Sequence, residues 1–153
     1  MGILRGSNDI KYLSIGNNVC DFANVTAFDL TKYPQLKSLS IGKNAFSYVD
    51  ELKLIGLNEL ESVVIGNSSF TRKKNSWGND PNRHFYLKNC PKIRYLRIGA
   101  YSFSDYTVCE IENVDALEDI KIGDIETDKY NSEYSYNFRY ASLELRSILI
   151  HSE

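Results

Sequence analysis

Apolar residues recur along this chain in one arrangement, and each occurrence ends in an Ile-Gly pair. Apolar side chains lie two and five positions before each isoleucine, as Leu39 and Leu36 do before Ile41. The pairs are separated by 26, 24, 33 and 24 residues: Ile15-Gly16, Ile41-Gly42, Ile65-Gly66, Ile98-Gly99 and Ile122-Gly123. A period near 24 residues with constant apolar positions indicates a solenoid, in which each repeat buries its apolar face only against its neighbours.

A second pair of apolar residues follows in every repeat, and its members are two positions apart. The pairs are Phe28/Leu30, Leu52/Leu54, Phe85/Leu87, Cys109/Ile111 and, in a shifted register, Leu143/Leu145. Such alternation is strand periodicity, and neither segment carries a 3.6-residue apolar stripe long enough for a stable helix. We therefore predict a mainly β fold in a single domain, residues 1–153, with about five coils, two parallel strands per coil and little helix.

Glycine after the last inward residue of the first strand has two possible explanations. Either the chain turns there with a positive φ, or another part of the backbone approaches closely. We favour a turn that closes each strand. Farther along, an aromatic residue lies five positions after the isoleucine at Phe46, Phe70 and Phe103, and in the first repeat Phe22 takes that role slightly late.

The string LKSLSIGKNAF at 36–46 resembles the leucine-rich repeat core L-x-x-L-x-L-x-x-N-x-L. The longer unit is similar to the expanded leucine-rich-like repeat proteins of unicellular eukaryotes and to their BspA-like relatives. The resemblance extends from about Ile3 to Ile150 and departs from the family pattern where Ser68 and Tyr101 replace asparagine. It implies a right-handed solenoid that recognises a ligand with a curved surface and has no catalytic residues.

Charge, cysteine and histidine content narrow the classes of function. The net charge of −2 gives no general attraction to nucleic acid or to an anionic membrane. No apolar run approaches the roughly 20 residues that span a bilayer. Cys20, Cys90 and Cys109 form no CxxC pair, and the two histidines complete no familiar zinc site. We expect buried free thiols, no metal and no cofactor, and unpaired thiols favour an intracellular location.

The outward positions of the first strand, together with the residue after each glycine, form the predicted binding face. Tyrosine and arginine are enriched at the hot spots of protein interfaces, and repeat proteins commonly bind through such a face. The candidate residues are Tyr12, Ser14, Ser40, Lys43, Tyr95, Arg97 and Lys121. The alternative is a solvated sheet face that merely tolerates its tyrosines.

Two insertions break the period, near residues 71–84 and 124–137, and both follow a first strand. We therefore expect both at the same edge of the solenoid. The first carries four cationic residues, including Arg83, and one acidic residue, whereas the second carries four acidic residues and one lysine. Three roles stay open: a flap of mutually attracting loops, solvated loops without function, or recognition loops. The recognition anchors would be Arg72, Lys73, Trp77 and Tyr134.

The pattern favours a non-catalytic protein-binding or scaffolding module that uses the strand face and the two edge loops. The sequence contains no Gly-rich phosphate loop and no G-x-S-x-G motif, so we do not expect an enzyme. Repeat-like sequence begins near Ile3 and continues to Ile150, without an evident polar cap at either end. A self-assembling structural protein, whose uncapped end coils stack with other copies, is therefore the alternative.

Overall fold

A computed structural model describes residues 8–72, 80–123, 125 and 136–146, and every regular element in these ranges is a β-strand. The strands are β1 (Tyr12–Ile15), β2 (Ala27–Asp29), β3 (Ser38–Ile41), β4 (Glu51–Ile55), β5 (Ser62–Ile65), β6 (Asp80–Lys88), β7 (Tyr95–Gly99), β8 (Tyr106–Glu112), β9 (Asp119–Gly123) and β10 (Ser142–Arg146). The prediction of a mainly β fold is confirmed.

Successive strands alternate between two five-stranded sheets, and all pairings are parallel. The first sheet has the order β1-β3-β5-β7-β9, and the second has the order β10-β8-β6-β4-β2. Each Ile of the Ile-Gly pairs lies in register with the next one: Ile15, Ile41, Ile65, Ile98 and Ile122. Every repeat therefore contributes one strand to each sheet, which is a solenoid-like arrangement.

The second sheet has the register that the alternating pairs predict. Leu52 is aligned with Phe28 on one side and Phe85 on the other, and Cys109 is aligned with Phe85 and Leu143. The inward residues of both sheets meet in one continuous core, and most of them in β3 to β8 are fully buried. The shifted register predicted for Leu143 and Leu145 is confirmed by their alignment with β8.

Stacked phenylalanine rings run through the core from repeat to repeat. The ring centroids of Phe46 and Phe70 are 5.3 Å apart, and those of Phe70 and Phe103 are 4.9 Å apart. Phe22, which the sequence assigns to the aromatic position of the first repeat, does not join the stack, because its side chain is largely exposed. Phe28 of β2 stacks on Phe46 instead, at 4.6 Å. An inward strand position thus supplies the ring that the first repeat lacks at its corner.

Close backbone approach, and not a turn, explains three of the glycines after the first strand: Gly42, Gly66 and Gly99. The favoured interpretation was wrong, since of the five only Gly123 has a positive φ (116°). A Cβ placed on Gly66 would lie 2.7 Å from the carbonyl carbon of Gly42 in the preceding repeat. A Cβ on Gly99 would lie 2.5 Å from the backbone nitrogen of Asn67. The side-chain hydrogen of glycine therefore points directly at the peptide of the repeat before it.

The left-handed backbone conformation falls on non-glycine residues a few positions later. Two such residues occur at each corner after the first strand: Asn18/Cys20, Asn44/Phe46, Ser68/Phe70, Tyr101/Phe103 and Tyr136/Phe138. The conformational energy that these left-handed residues cost is offset by hydrogen bonds between repeats. The N–H groups of Asn44 and Ser68 donate to the carbonyls of Asn67 and Ala100 in the following repeats, at 3.0 and 2.8 Å.

Buried serines satisfy the backbone groups at the same corners. The Ser69 hydroxyl donates to the Gly42 carbonyl (2.7 Å) and accepts the Ala45 N–H (3.2 Å). One repeat later, the Ser102 hydroxyl donates to the Gly66 carbonyl (2.7 Å) and accepts the Ser69 N–H (3.1 Å). Because both serines are fully buried, these bonds replace water for four backbone groups.

The three cysteines are free thiols, as the sequence predicts. Cys90 and Cys109 are buried in the core, and burial raises the pKa of both thiols, that of Cys109 to about 12. Cys20 is only half-buried, at the corner of the first repeat. Since the thiolate is the reactive form, the two core thiols are chemically protected by the fold.

Substitution of Gly66 by alanine should lower the free energy of unfolding by about 1–3 kcal/mol, because backbone atoms surround the added methyl group. Gly16→Ala is the matched control, since its Cβ would meet Val19 Cγ2 at an ordinary 3.5 Å. That variant should keep its stability or gain up to about 1 kcal/mol. Urea unfolding of both variants measures the difference, and equal losses would contradict the close-approach explanation.

Reaction with a thiol-specific disulfide reagent should also separate the cysteines. At pH 8 the native protein should release roughly one equivalent quickly, from the partly exposed Cys20, and two more only on unfolding, because Cys90 and Cys109 are buried in the core. Burial raises the pKa of all three thiols, so access to the sulfur separates them. Cys20→Ser should remove the fast phase. Rapid modification of Cys109 in the native state would show that the core opens more readily than its packing indicates.

Candidate functional site

The outward residues of the first sheet form two parallel rows across all five strands. One row contains Tyr12, Ser38, Ser62, Tyr95 and Asp119. The other contains Ser14, Ser40, Val64, Arg97 and Lys121. Five of the predicted face residues (Tyr12, Ser14, Ser40, Tyr95, Arg97) are thus brought onto one surface, and Lys121 joins them in register with Arg97. We call this surface the tyrosine face.

Small side chains form the middle of the tyrosine face, and a tyrosine stands on each side. Tyr12 and Tyr95 lie three strands apart in the same row, a distance of about 14 Å at the usual strand spacing of about 4.8 Å. Between them, the Ser62 hydroxyl donates to that of Ser38 at 2.9 Å. Tyr12 is 73% exposed and Tyr95 is 37% exposed. The result is a shallow depression with two accessible rings at its borders.

Neighbouring charges hold Tyr95 in place. The Arg94 guanidinium lies over the Tyr95 ring, 5.3 Å from its centroid, and donates two hydrogen bonds to Glu118, each 2.9 Å long. These bonds hold the pKa of Glu118 below its ordinary value of 4.5. The Glu118 carboxylate therefore stabilises this arrangement at neutral pH, and that contribution is lost only as the pH falls through the lowered pKa.

Arg97 is also anchored, and Lys43 occupies a different position from the other candidates. The Arg97 guanidinium donates to Asp119 of β9 at 3.1 Å. Lys43 follows Gly42 beyond the end of β3, where its N–H donates to the Asn17 side chain at 2.8 Å. Lys43 is half-buried and lies beyond the strand end, so it borders the tyrosine face without belonging to either row.

Sequence reasoning missed Arg94 and Glu118 as parts of this surface. A signal was present in the residues that precede each first strand, where the chain reads Lys11, Lys37, Glu61, Arg94 and Glu118. Two neighbouring pairs of opposite sign in this row make ion pairs between repeats: Lys37–Glu61 at 3.5 Å and Arg94–Glu118 at 2.9 Å. Reading across the repeats, instead of along each strand, would have found the pairs.

The first insertion is shorter than the sequence predicts, because β6 begins at Asp80. Three of the four predicted anchors lie outside the described residues: Lys73 and Trp77 of the first insertion and Tyr134 of the second. Arg72 is described, and its guanidinium pairs with Asp50 (2.9 Å) and Asp80 (3.6 Å). Both insertions connect a first-sheet strand to a second-sheet strand, as the prediction of a shared edge requires.

Arg83 was assigned to the cationic loop, and that assignment is wrong. It lies in β6 with its side chain fully buried, two positions before the inward Phe85. The guanidinium donates to Asp105 at 2.6 Å and to the carbonyls of Ser47 and Val49 at 2.7 and 2.8 Å. Period-two alternation from Phe85 would have placed Arg83 inside the fold.

Tyr106 packs against Arg83, which pairs with Asp105, and the three side chains form a buried cluster. Its ring lies under the Arg83 guanidinium, at 4.7 Å from the centroid, and its hydroxyl donates to the Val49 carbonyl at 2.5 Å. Burial raises the pKa of Tyr106, so its hydroxyl stays protonated as a donor. Arg83 thereby connects three successive repeats, those that contain Val49, Arg83 itself and Asp105.

Comparison with family models, with curated proteins and with solved structures finds no match to this chain. Among the described residues, no three histidine, cysteine, aspartate or glutamate side chains are grouped to hold a metal ion. A helix long and apolar enough to cross a bilayer is likewise absent from the described ranges. The geometry of the protein's surfaces is therefore the basis for inferring its function.

Removal of the buried guanidinium should be much more costly than removal of the exposed one beside it. Arg83→Met leaves the buried Asp105 carboxylate without its counter-ion and the Ser47 carbonyl without its donor, and should lower the free energy of unfolding by about 3–5 kcal/mol. Arg72→Met is the matched control and should cost less than about 1 kcal/mol, since its ion pairs are partly exposed. Urea denaturation followed by circular dichroism gives both values.

A second substitution tests the cause of that loss. Adding Asp105→Leu to Arg83→Met should recover part of the lost stability, because no buried charge is then left alone. If Arg83→Met were no more destabilising than Arg72→Met, the cluster would contribute little to the fold.

Proposed function

We propose that this protein is a non-catalytic binding or scaffolding module that recognises a protein partner through the tyrosine face. The observation that carries the proposal is the pair of accessible rings, Tyr12 and Tyr95, on either side of a serine-lined depression. A tyrosine ring offers a large apolar contact area and a polar tip, which is why tyrosine is enriched at interface hot spots. The depression fits an extended segment that inserts small or apolar side chains between the rings.

Preorganisation of Tyr95 supports the same conclusion. A side chain that is already fixed loses less conformational entropy when a partner binds. Arg94 covers one face of the Tyr95 ring, and Glu118 in turn fixes Arg94. Arg97 is fixed by Asp119 and keeps further guanidinium donors for a partner carbonyl or carboxylate. Affinity would therefore come from a rigid surface on regular strands.

The finer architecture that we propose is a right-handed, leucine-rich-repeat-like solenoid of about five coils. Connections between parallel strands of one sheet are right-handed in about 98% of cases, which favours this hand. The parallel, in-register sheets are compatible with it. A regular sheet face is shallow and offers no enclosed space in which a reacting group could be desolvated, which favours binding over catalysis.

The double variant Tyr95→Ala/Arg97→Ala tests the binding face. It should weaken a partner captured from native lysate at least about 10-fold while leaving the unfolding midpoint within a few degrees, because both side chains face outward. The affinity is measured by titration of the purified partner onto immobilised protein.

The second sheet offers a matched control. Tyr86 and Lys88 are two residues apart on β6 and face outward, as Tyr95 and Arg97 do on β7, and Lys88 likewise pairs with an acid, Glu110. Tyr86→Ala/Lys88→Ala should leave the affinity unchanged. Equal binding by the wild-type protein and the β7 variant, or a loss confined to the β6 variant, would refute the tyrosine face.

A further inference from the structure

The last described repeat exposes apolar side chains that earlier repeats bury. Ile120 and Ile122 of β9 are 45% and 43% exposed, whereas the aligned Leu96 and Ile98 of β7 are fully buried. In β10, Leu143 and Leu145 are 61% and 62% exposed. These four residues occupy inward positions of the two sheets, so together they form the end of the core. We call this surface the terminal core.

The terminal core is bordered by two outer strands on the same side of the structure. Among the described strands, β9 is the outermost of the first sheet and β10 is the outermost of the second at this end. Outer strands offer backbone N–H and C=O groups to a further strand. A partner that adds a strand to each sheet would therefore bury apolar and backbone groups at once.

The charges on these two strands point to the occupant. Facing outward, β9 carries Asp119 and Lys121, and β10 carries Glu144 and Arg146, in each case an acid followed two positions later by a base. An acid–base pair of this kind is self-complementary when two copies of the strand run antiparallel, because each acid then faces the base of the other copy. Among first-sheet strands, only β9 has this pattern.

We propose that the terminal core is an isologous interface through which two copies of this chain form a two-fold symmetric dimer. A single two-fold axis normal to the sheets pairs β9 with β9 and β10 with β10, both antiparallel. In the first sheet, Ile120 lies opposite Ile120 of the other copy, so Asp119 faces Lys121 of that copy. In the second sheet, Leu145 lies opposite Leu145 of the other copy, so Glu144 faces Arg146. Both sheets continue across the interface, and the four apolar side chains are buried.

This inference does not rest on the proposed function. The two surfaces meet at β9, where Asp119 and Lys121 end the two rows of the tyrosine face, but the interface buries the terminal core and the outer edge of β9 and leaves Tyr12 and Tyr95 accessible. The two-fold arrangement closes after two copies, in contrast to a head-to-tail arrangement, which continues into filaments. Dimer and filament are therefore distinguishable by mass alone.

Sedimentation velocity of the full chain over a concentration series tests the proposal. The wild-type protein should show a monomer–dimer equilibrium without larger species. An acidic-edge variant, Lys121→Glu/Arg146→Glu, and a basic-edge variant, Asp119→Lys/Glu144→Lys, should each raise the dimer dissociation constant at least 10-fold, because like charges then face each other. An equimolar mixture of the two variants should form a heterodimer with an affinity near that of wild type.

An interior strand supplies the matched control. Glu51 and Lys53 form the same acid–base pattern on β4, which lies between β2 and β6. Lys53→Glu should leave the dissociation constant unchanged. A wild-type protein that stays monomeric at millimolar concentration, species that grow beyond the dimer, or a mixture that fails to associate would each overturn the proposal.

Discussion

The distance between stacked repeats is the constraint on which the rest of this structure depends. Parallel strands in one sheet lie about 4.8 Å apart, and at the end of each first strand the backbones of neighbouring repeats come directly into contact. Glycine permits that contact at Gly42, Gly66 and Gly99, where any Cβ would overlap the preceding repeat. The same spacing aligns the isoleucines and brings the phenylalanine rings to stacking distance.

Polar side chains make their hydrogen bonds mainly between repeats, and these bonds stabilise the close stacking that the glycines permit. Ser69 and Ser102 satisfy backbone groups at the corners, while Arg83 joins three repeats from inside the core. An arginine with no exposed surface is stable only because carbonyls, a carboxylate and a tyrosine ring replace its hydration. Arg83 also lies just after the start of β6, so the first insertion rejoins the fold at a well-packed position.

The regular strands give the protein two surfaces, the tyrosine face and the terminal core. The tyrosine face owes its two separated rings to small residues in the intervening repeats, and its rigidity to ion pairs such as Arg94–Glu118. The terminal core exists because a repeat buries its apolar face only against its neighbours, and among the described strands Leu143 and Leu145 have one on a single side, β8. The stacking that stabilises the interior thus also creates a surface suited to association.

The sequence by itself determined the strands, their alternation between two sheets and the register of Ile41 with Ile65, because period-two and repeat spacing are local patterns. It also placed Tyr95 and Arg97 side by side on the outward face. The tertiary structure alone decided the role of Gly66, the burial of Arg83 and the replacement of Phe22 by Phe28 in the ring stack. Each of these depends on which atoms of a neighbouring repeat lie within contact distance, and a pattern along one strand does not contain that distance.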